Sequence, residues 1–354
     1  MRVCFLTHNL RSDNGAGVFS LRLIRSMQDA LRCKVVALTA VPDKIRFWSA
    51  FFQLRKILKG CDIIHALDAY PYGVMATLAA LGLGKKIIIT AVGTGSINPL
   101  YRIPYSWLLK YVYRRAYKIT AISHFTKNEI LKKVPDIQIE VINHGVDLEK
   151  FQKNIDTRKC VNADQYKPYI LSVGSLRWRK GYHLSIPAFA RVAAEFPNLK
   201  YIIVGKKYAA DYYQRLQKLI SDYKLEDKVF LLDSVDNFDD LLCLYRGAEL
   251  FCLLSQNARH DVEGFGLVFL EAAAAGLPVI GSKGGGIEDA VLENKNGFLV
   301  PEQDEDVFAG AVIKILKNKD LRNGMVKESL SLAESSRWDK RLDEYAAIYK
   351  SIIH

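Results

Sequence analysis

The stretch Arg259-His-Asp-Val-Glu-Gly-Phe-Gly-Leu-Val-Phe-Leu-Glu-Ala-Ala-Ala-Ala-Gly-Leu-Pro-Val-Ile-Gly-Ser-Lys-Gly-Gly-Gly286 decides how the rest of the sequence is interpreted. It opens with a loop in which Gly264 and Gly266 flank Phe265, so the backbone can approach a ligand closely. Strong helix formers follow from Leu267, and a glycine and a proline end that helix. A glycine loop before a helix N-terminus offers N–H groups and a positive dipole end to a phosphate.

Two carboxylates bracket this loop. Glu263 precedes it, and Glu271 lies eight residues further on, about one turn into the predicted helix. Carboxylates only accept hydrogen bonds, so they suit sugar hydroxyl groups. The stretch therefore predicts a site that holds a sugar, a diphosphate and a ribose in turn. The alternative is an ordinary helix cap at Glu263, with Glu271 on a solvated helix face.

The Glu263–Glu271 stretch resembles the E-x7-E motif of retaining glycosyltransferases of the large "group 1" family, the family-four type. The resemblance implies an α/β, GT-B fold with two doubly wound, Rossmann-like parallel-sheet domains that face a cleft. It also implies sugar transfer with retained anomeric configuration, no metal and no other cofactor. Glu263 would then orient the transferred sugar, and Glu271 would bind the ribose hydroxyls.

The length and the order of predicted elements agree with two domains. A chain of 354 residues exceeds one ordinary core. Short buried strands alternate with helices, which favours parallel sheets covered on both faces. We predict an N-terminal acceptor-side domain over 1–163, a nucleotide-sugar-binding domain over 164–336, and a terminal helix over 337–354 that crosses back to the first domain.

Composition points to the cytoplasm. The N-terminus lacks the pattern of a signal peptide, and the longest nearly apolar run, 72–84, is too short to span a membrane. The six cysteines have no metal-binding spacing. We therefore expect free thiols in a reducing compartment.

A second anion-binding loop is predicted after the strand that begins at Tyr169. The segment from Ser175 to Gly181 carries three cations and leads into a helix N-terminus, which favours phosphate binding over a solvated loop. It resembles the family's G-R-L-x-x-x-K-G loop, whose basic residues clamp the diphosphate. Lys180 matches that pattern, whereas Ser175 replaces the usual arginine, and either Arg177 or Arg179 is the substitute.

The first glycine loop is open to two interpretations. The spacing Gly15-x-Gly17-x-x-Ser20 half-matches a dinucleotide fingerprint. However, Gly15 follows its strand only after a long loop, and the second strand ends without the expected acidic residue, which argues against NAD. The resemblance instead implies that Gly15 and Gly17 face the donor phosphates.

Three further positions complete the predicted site. By resemblance, Val235 lies where the loop backbone holds the nucleotide base. Asp304-Glu-Asp306 has the D-x-D pattern of a metal site but is better explained as a helix cap. Val92 occupies the place of the family's cleft histidine, so the chain has a different sugar, a substitute such as His65 or His124, or no activity. The intact donor motif argues against the last.

The charge is concentrated in the first half. Residues 1–160 carry 25 Lys and Arg against 11 Asp and Glu, and the remainder carries 25 against 27. The segment 99–118 interleaves cations with aromatics: Tyr101, Arg102, Tyr105, Trp107, Lys110, Tyr111, Tyr113, Arg114, Arg115, Tyr117 and Lys118. Aromatic and basic residues favour the headgroup region of an anionic membrane. Nucleic acid is disfavoured because no base-reading motif is present.

These observations predict a hexosyltransferase, peripheral on the inner face of the membrane, in polysaccharide or glycolipid synthesis. Its donor would be a nucleotide-diphosphate sugar, and its acceptor a glycan or a lipid-linked molecule. The alternatives are a non-catalytic nucleotide-sugar binder of the same fold and a glycosyltransferase with a soluble acceptor. An epimerase of this fold and a DNA-modifying glucosyltransferase are also considered.

Overall fold

The structure is a computed structural model that describes residues 2–8, 10, 15–31, 34–38, 47–155, 163–233, 235, 237–257 and 261–353. Contacts divide the chain into two compact units. Unit 1 comprises Met1–His144, Arg259–Phe265 and Trp338–His354, and unit 2 comprises Gly145–Ala258 and Gly266–Arg337. The two units are defined by contacts between residues and not by domain boundaries. The domain limits given above therefore remain predictions from the sequence.

Twelve strands and fourteen α-helices lie within the described residues. The strands are β1 Arg2–Leu6, β2 Lys34–Leu38, β3 Ile63–Leu67, β4 Lys86–Ala91, β5 Lys118–Ala121, β6 Glu140–Val141, β7 Tyr169–Val173, β8 Lys200–Val204, β9 Val229–Leu232, β10 Phe251–Leu253, β11 Val279–Ser282 and β12 Gly297–Val300. The helices are α1 Gly15–Leu31, α2 Phe47–Lys59, α3 Val74–Ala79, α4 Thr94–Ile97, α5 Tyr105–Arg115, α6 His124–Leu131, α7 Leu148–Gln152, α8 Tyr182–Glu195, α9 Ala210–Asp222, α10 Phe238–Gly247, α11 Leu267–Ala274, α12 Glu305–Lys317, α13 Lys319–Ser335 and α14 Trp338–Ile353.

The sheet of unit 1 has the strand order β2-β1-β3-β4-β5-β6, and its described strand pairs are all parallel. All five residues of β3 are buried, as expected for a strand covered on both sides. Since β1 lies between β2 and β3, the direction of winding reverses between β1 and β3. A ligand crevice is expected at the carboxyl ends of these two strands.

Alternate residues of β1 belong to different cores. Val3 and Phe5 pack with α1 and with the aromatic side chains of α14. Cys4 and Leu6 pack on the opposite face, in a cluster that also includes apolar side chains of α2, α3 and α5. This follows from the two-residue period of a strand. The helix α14 begins and ends one residue inside the limits that the sequence predicts, and it packs within unit 1.

The sheet of unit 2 has the order β12-β11-β10-β7-β8-β9, again with parallel pairs throughout the described strands. The winding reverses between β7 and β10. The sequence suggests a hairpin-like end at 296–301, which is wrong: β12 pairs in parallel with β11. A Cβ on Gly297 would lie 1.8 Å from the carbonyl oxygen of Val279, so the strands need glycine there.

Two other expectations concern cysteines and the membrane. Cys4, Cys61 and Cys252 are free and buried, as predicted. Cys243 is disulfide-bonded, so the expectation of free thiols is wrong for this residue. Among the described helices, we find none with the length and apolar character needed to cross a bilayer.

Candidate functional site

The loop after β7 carries the predicted diphosphate clamp. Its geometry depends on Gly181, which has a φ of 70° and caps α8; a Cβ there would lie 1.8 Å from the carbonyl oxygen of Leu254. Lys180 precedes it and is buried to 8% exposure, which is rare for a lysine. Arg177 is half-buried, and its guanidinium lies 5.6 Å from the ring centroid of Tyr208. Cations held in this way retain a fixed position near the end of the strand.

The loops after β7 and β10 are in direct contact. The backbone N–H of Gln256 donates to the carbonyl oxygen of Arg179 at 2.7 Å. These loops follow the two strands between which the winding of the unit 2 sheet reverses. Ligands of open parallel sheets bind at such a point. Ser175, half-buried, begins the same loop, and its carbonyl accepts the N–H of Arg177 at 2.9 Å.

Glu271 lies in the second turn of α11 and is held by Tyr245, whose hydroxyl donates to its Oε2 at 3.1 Å. Burial of the carboxyl group raises the pKa of Glu271 to about 7, and the Tyr245 hydrogen bond opposes that shift. Because ionised Glu271 accepts further hydrogen bonds, a ligand with hydroxyl groups would stabilise its charged form.

Buried tyrosines support both Glu271 and the diphosphate loop. Tyr182, the first residue of α8, donates its hydroxyl to the carbonyl oxygen of Gly174 at 2.8 Å. Tyr245, the partner of Glu271, is fully buried in α10. Unit 2 therefore contains both the predicted diphosphate clamp and the predicted ribose carboxylate.

The helix α11 begins as the sequence predicts. Gly266 is its N-cap with a φ of 79°, and a Cβ there would lie 2.8 Å from the ring of Phe269. Leu267 is the first helical residue and is half-buried. The conformation of this loop thus requires glycine at 266, because a side chain would be strained and would clash.

The residues just before this cap belong to unit 1. Glu263 and Gly264 are half-buried, and a Cβ on Gly264 would lie 2.7 Å from the carbonyl oxygen of Val92. Phe265 is buried, and its ring packs edge-on against His144 at a centroid distance of 5.2 Å. Because the ring is buried, only the backbone of Phe265 can contact a nucleotide-sugar donor. The sequence alone does not indicate this.

The other predicted positions lie on separate elements. Gly15 and Gly17 are in the first turn of α1, where Gly17 is buried. Ser20, from the half-matched fingerprint, bonds the Thr7 hydroxyl at 2.7 Å. Val235 is half-buried and follows β9. The start of the quoted stretch, 259–260, lies outside the described residues.

The D-x-D sequence is a helix cap. The Asp304 carboxylate accepts the N–H of Val307 at 2.9 Å at the start of α12, and Asp306 pairs with Arg191. Within the described part of the chain, no group of three or more potential metal-binding side chains is assembled.

Histidine positions decide what can replace the cleft histidine at Val92. His65 is fully buried, and its two ring nitrogens bond Tyr349 at 2.5 Å and Thr90 at 2.7 Å. Burial lowers its pKa to about 3, so it remains neutral. His65 is thus occupied in the core of unit 1 and has no ring nitrogen for a sugar. His124 is exposed as the first residue of α6.

His144 is not among the site residues that the sequence predicts. It is buried and contacts the rings of Phe19 and Phe265, whose centroids are 4.7 and 5.2 Å away. Burial lowers its pKa to about 4. Its Nδ1 has no hydrogen-bond partner among the described residues. The contact with Phe265 could not be found from sequence because 121 positions separate the two residues.

Comparison with known families covers both parts of the chain. The model described as "Glycosyl transferases group 1" matches residues 153–331. The model described as "Glycosyltransferase Family 4" matches residues 3–150.

Similar proteins agree with these matches. N-acetyl-alpha-D-glucosaminyl L-malate synthase of Bacillus anthracis is 28% identical over 82% of this chain and 75% of its own. A GDP-mannose-dependent alpha-(1-6)-phosphatidylinositol monomannoside mannosyltransferase of Mycolicibacterium smegmatis is 27% identical over 71% of this chain and 68% of its own. Among solved structures, Anabaena Alr3699/HepE in complex with UDP and glucose superimposes with a TM-score of 0.81 over 99% of this chain and 100% of its own, at 18% identity.

The similarity to the Anabaena structure supports the fold alone. The two family models support membership of the family as well as the fold. Together with the two parallel sheets, they confirm the predicted two-domain α/β architecture. The chain belongs to the group 1 glycosyltransferases of the family-four type, has the GT-B fold, and is a transferase with a nucleotide-sugar donor.

Proposed function

We propose that this protein transfers a hexose from a nucleoside diphosphate to a lipid-linked or glycan acceptor, with retained configuration and without a metal. The observation that carries the proposal is the setting of Glu271. It is a carboxylate near the start of α11, held by Tyr245, and it lies in the same unit as the loop that carries the cations. A ribose on Glu271 and a diphosphate on that loop form one continuous donor.

The donor half of the reaction uses charge. As the bond between the sugar's anomeric carbon and the diphosphate oxygen breaks, negative charge grows on the leaving group. Arg177, Lys180 and the first N–H groups of α11 stabilise that charge. Glu263 orients the sugar and Glu271 binds the ribose hydroxyls. No separate nucleophile is required in this scheme.

The acceptor half follows from the same groups. The acceptor hydroxyl attacks the anomeric carbon from the side of the departing diphosphate. Its proton passes to a diphosphate oxygen, so the new glycosidic bond forms on the face of the old one. Asp304 and Asp306 have other partners, and the scheme assigns them no ligand role.

Membrane association is proposed from the surface of α5 and α2. Ile103, Trp107 and Phe52 are 93%, 67% and 63% exposed, which is unusual for large apolar side chains. The helix α3 packs against both α2 and α5, so these side chains belong to one helical layer. The layer's cations include Lys56, Lys59, Arg102, Lys110 and Arg115.

Part of the segment 99–118 packs inward instead. Tyr113 is buried and donates to the carbonyl oxygen of Ser96 at 2.9 Å. Tyr101 bonds Glu129, whereas Arg114 stays exposed while it makes two hydrogen bonds with Asp136. The proposed membrane surface therefore consists of Ile103, Trp107 and the outward-facing tyrosines and cations.

The two relatives suggest different acceptors. The name of the Mycolicibacterium protein includes a phosphatidylinositol monomannoside, whereas the name of the Bacillus protein includes L-malate. The exposed apolar side chains favour the lipid-linked acceptor, and a soluble acceptor is the second candidate.

A two-step experiment tests the proposal. UDP-, GDP- and ADP-sugars are first screened for protection against thermal unfolding. The donor that raises the Tm is then incubated, labelled in its sugar, with membrane lipids and with soluble polyols. We expect label in the lipid fraction. Protection without any transfer or donor hydrolysis would instead indicate a non-catalytic binder.

A further inference from the structure

The segment that carries Glu263 is held on one side by Thr94. The Thr94 hydroxyl lies 3.2 Å from Asp261 Oδ1, to which it donates, and it accepts the N–H of Val262 at 3.2 Å. One threonine thus bonds both a side chain and the backbone just before Glu263. Thr94 itself is fixed as the first residue of α4.

The backbones of the two segments lie so close that side chains are excluded. Gly93 has a φ of 120°, and a Cβ there would lie 3.2 Å from the Cα of Gly264. A Cβ on Gly264 would lie 2.7 Å from the Val92 carbonyl oxygen. This contact therefore fixes Gly264, the residue directly after Glu263.

The loop 92–96 is itself anchored by a strained residue. Asp68 has a φ of 106°, which is rare for a residue with a side chain. Its carboxylate accepts the Ala69 N–H at 2.9 Å and the Ser96 hydroxyl. Strained backbone of this kind persists where surrounding contacts enforce it, often near functional sites.

His144 holds the other end of the segment. Its ring stands at 86° to that of Phe265, an edge-to-face arrangement. The ring of Phe19 also packs against His144, at a centroid distance of 4.7 Å, and Trp338 stacks on Phe19 at 6.0 Å. Phe265 is therefore enclosed in an aromatic cluster that is independent of Thr94.

We propose that Thr94 and His144 are positioning residues that set the orientation of Glu263 toward the transferred sugar. They act from both sides of a five-residue segment whose only half-buried carboxylate is Glu263. The inference rests on the proposed function, in which Glu263 contacts the sugar and Glu271 contacts the nucleotide. The proposal therefore gives the two glutamates separate supports. Thr94 and His144 affect the orientation of the sugar through Glu263, whereas the residues around Glu271 affect the binding of the nucleotide.

The test compares Thr94→Val with Thr94→Ser. The valine variant removes the hydroxyl and the serine variant keeps it. We expect Thr94→Val to lower kcat about tenfold, the loss of one or two hydrogen bonds, with Thr94→Ser within about threefold of the original. The affinity for the nucleoside diphosphate alone should change less than twofold in both variants.

Thr77→Val is the matched control. Thr77 is buried in α3, and its hydroxyl has no partner among the described residues, so the same chemical change removes no hydrogen bond. His144→Phe keeps an aromatic edge toward Phe265 and should retain most of kcat, whereas His144→Ala should lose about as much as Thr94→Val.

Two results would overturn the inference. One is a kcat of Thr94→Val equal to that of Thr77→Val. The other is an equal loss of kcat and of nucleoside diphosphate affinity, together with a lower Tm, which indicates a structural role only. If the unchanged protein turns over no nucleotide sugar, the proposed function itself fails, and the variants are not needed to show it.

Discussion

Both units contain a six-stranded parallel sheet, but they use their charged side chains differently. In unit 2, Arg177 and Lys180 lie in the loop after the central strand β7, and Lys180 is almost fully buried. In unit 1, many cations lie on exposed helix surfaces, beside Trp107 and Phe52. A shared architecture therefore does not indicate a shared role. The position of a cation relative to the strand ends decides between a phosphate and a membrane surface.

The largest expected effect comes from the cations of unit 2. Lys180→Ala should lower kcat by about 10²–10³-fold, the usual loss when a group that stabilises transition-state charge is removed. Lys218→Ala is the control, because Lys218 is exposed on α9. Steady-state kinetics measures both. Equal kinetics in the two variants would remove the distinction between loop cations and surface cations.

The second effect concerns Glu271. Glu271→Ala should weaken nucleotide-sugar binding by about 1–3 kcal/mol, the cost of leaving the hydroxyl groups of a buried ribose unpaired. Titration calorimetry measures this change. Tyr245→Phe removes the supporting hydroxyl only and should cost less. Undiminished binding in Glu271→Ala would contradict a nucleotide site in unit 2.

A pH profile sharpens the same prediction. The pKa of Glu271 is about 7 in the folded protein and about 4.5 as an ordinary glutamate, so the carboxyl is mostly protonated at pH 6. Ribose hydroxyls prefer the ionised form. Donor affinity should therefore rise by up to about tenfold from pH 6 to pH 8. Glu271→Gln should flatten the profile, and an unchanged slope would exclude Glu271 as its source.

The contribution of Glu271 to the stability of the ligand-free fold changes with pH in the opposite direction to the donor affinity. Its folded pKa is raised, so the folded protein binds this proton more tightly than the unfolded chain. The stability that Glu271 contributes is greatest at low pH and decreases as pH rises from about 4.5 to about 7. A donor that protects the fold best at pH 8 would therefore do so against the trend of the ligand-free protein.

The membrane surface of unit 1 should give a smaller, salt-dependent effect. Each cation near an anionic surface contributes about 1 kcal/mol, so Arg114→Glu with Arg115→Glu should reduce liposome binding by more than tenfold at low salt. The Arg114 change also breaks its Asp136 pair, so Trp107→Ala tests the surface separately. Binding that ignores both lipid charge and salt would contradict the comparison between the units.

The smallest effect is expected at Asp304. Asp304→Ala removes an N-cap and should lower the free energy of unfolding by about 0.5–2 kcal/mol while kcat stays unchanged. Activity should also persist in excess chelator. Loss of activity that Mn²⁺ restores would contradict the metal-free mechanism.

Sequence reasoning succeeded where a feature is local. The strand–helix alternation, the start of α11 at Leu267, the cap at Asp304 and the existence of α14 all follow from short patterns, and the structure agrees. The parallel pairing of β12 was missed because its hydrophobic pattern does not reveal its partner. Pairing is set by tertiary contacts, which a single segment does not encode.

The supports of the site are the part that sequence could not supply. Tyr245 lies 26 positions from Glu271, and Thr94 bonds residues 167 and 168 positions away. The enclosure of Phe265 is equally non-local. His65 shows the opposite case. The sequence suggests it as a substitute for the cleft histidine, but in the structure it is a core residue whose two ring nitrogens are both hydrogen-bonded.

The most direct test of the central claim is the anomeric configuration of the first product. The donor identified by screening, with an axial linkage to its diphosphate, is incubated with the protein in excess chelator, and the sugar is followed by time-resolved proton NMR before mutarotation. Retaining, metal-independent chemistry predicts that the axial anomer appears first, whether the sugar reaches an acceptor or water. Initial formation of the equatorial anomer, or no product until a metal is added, would contradict the account.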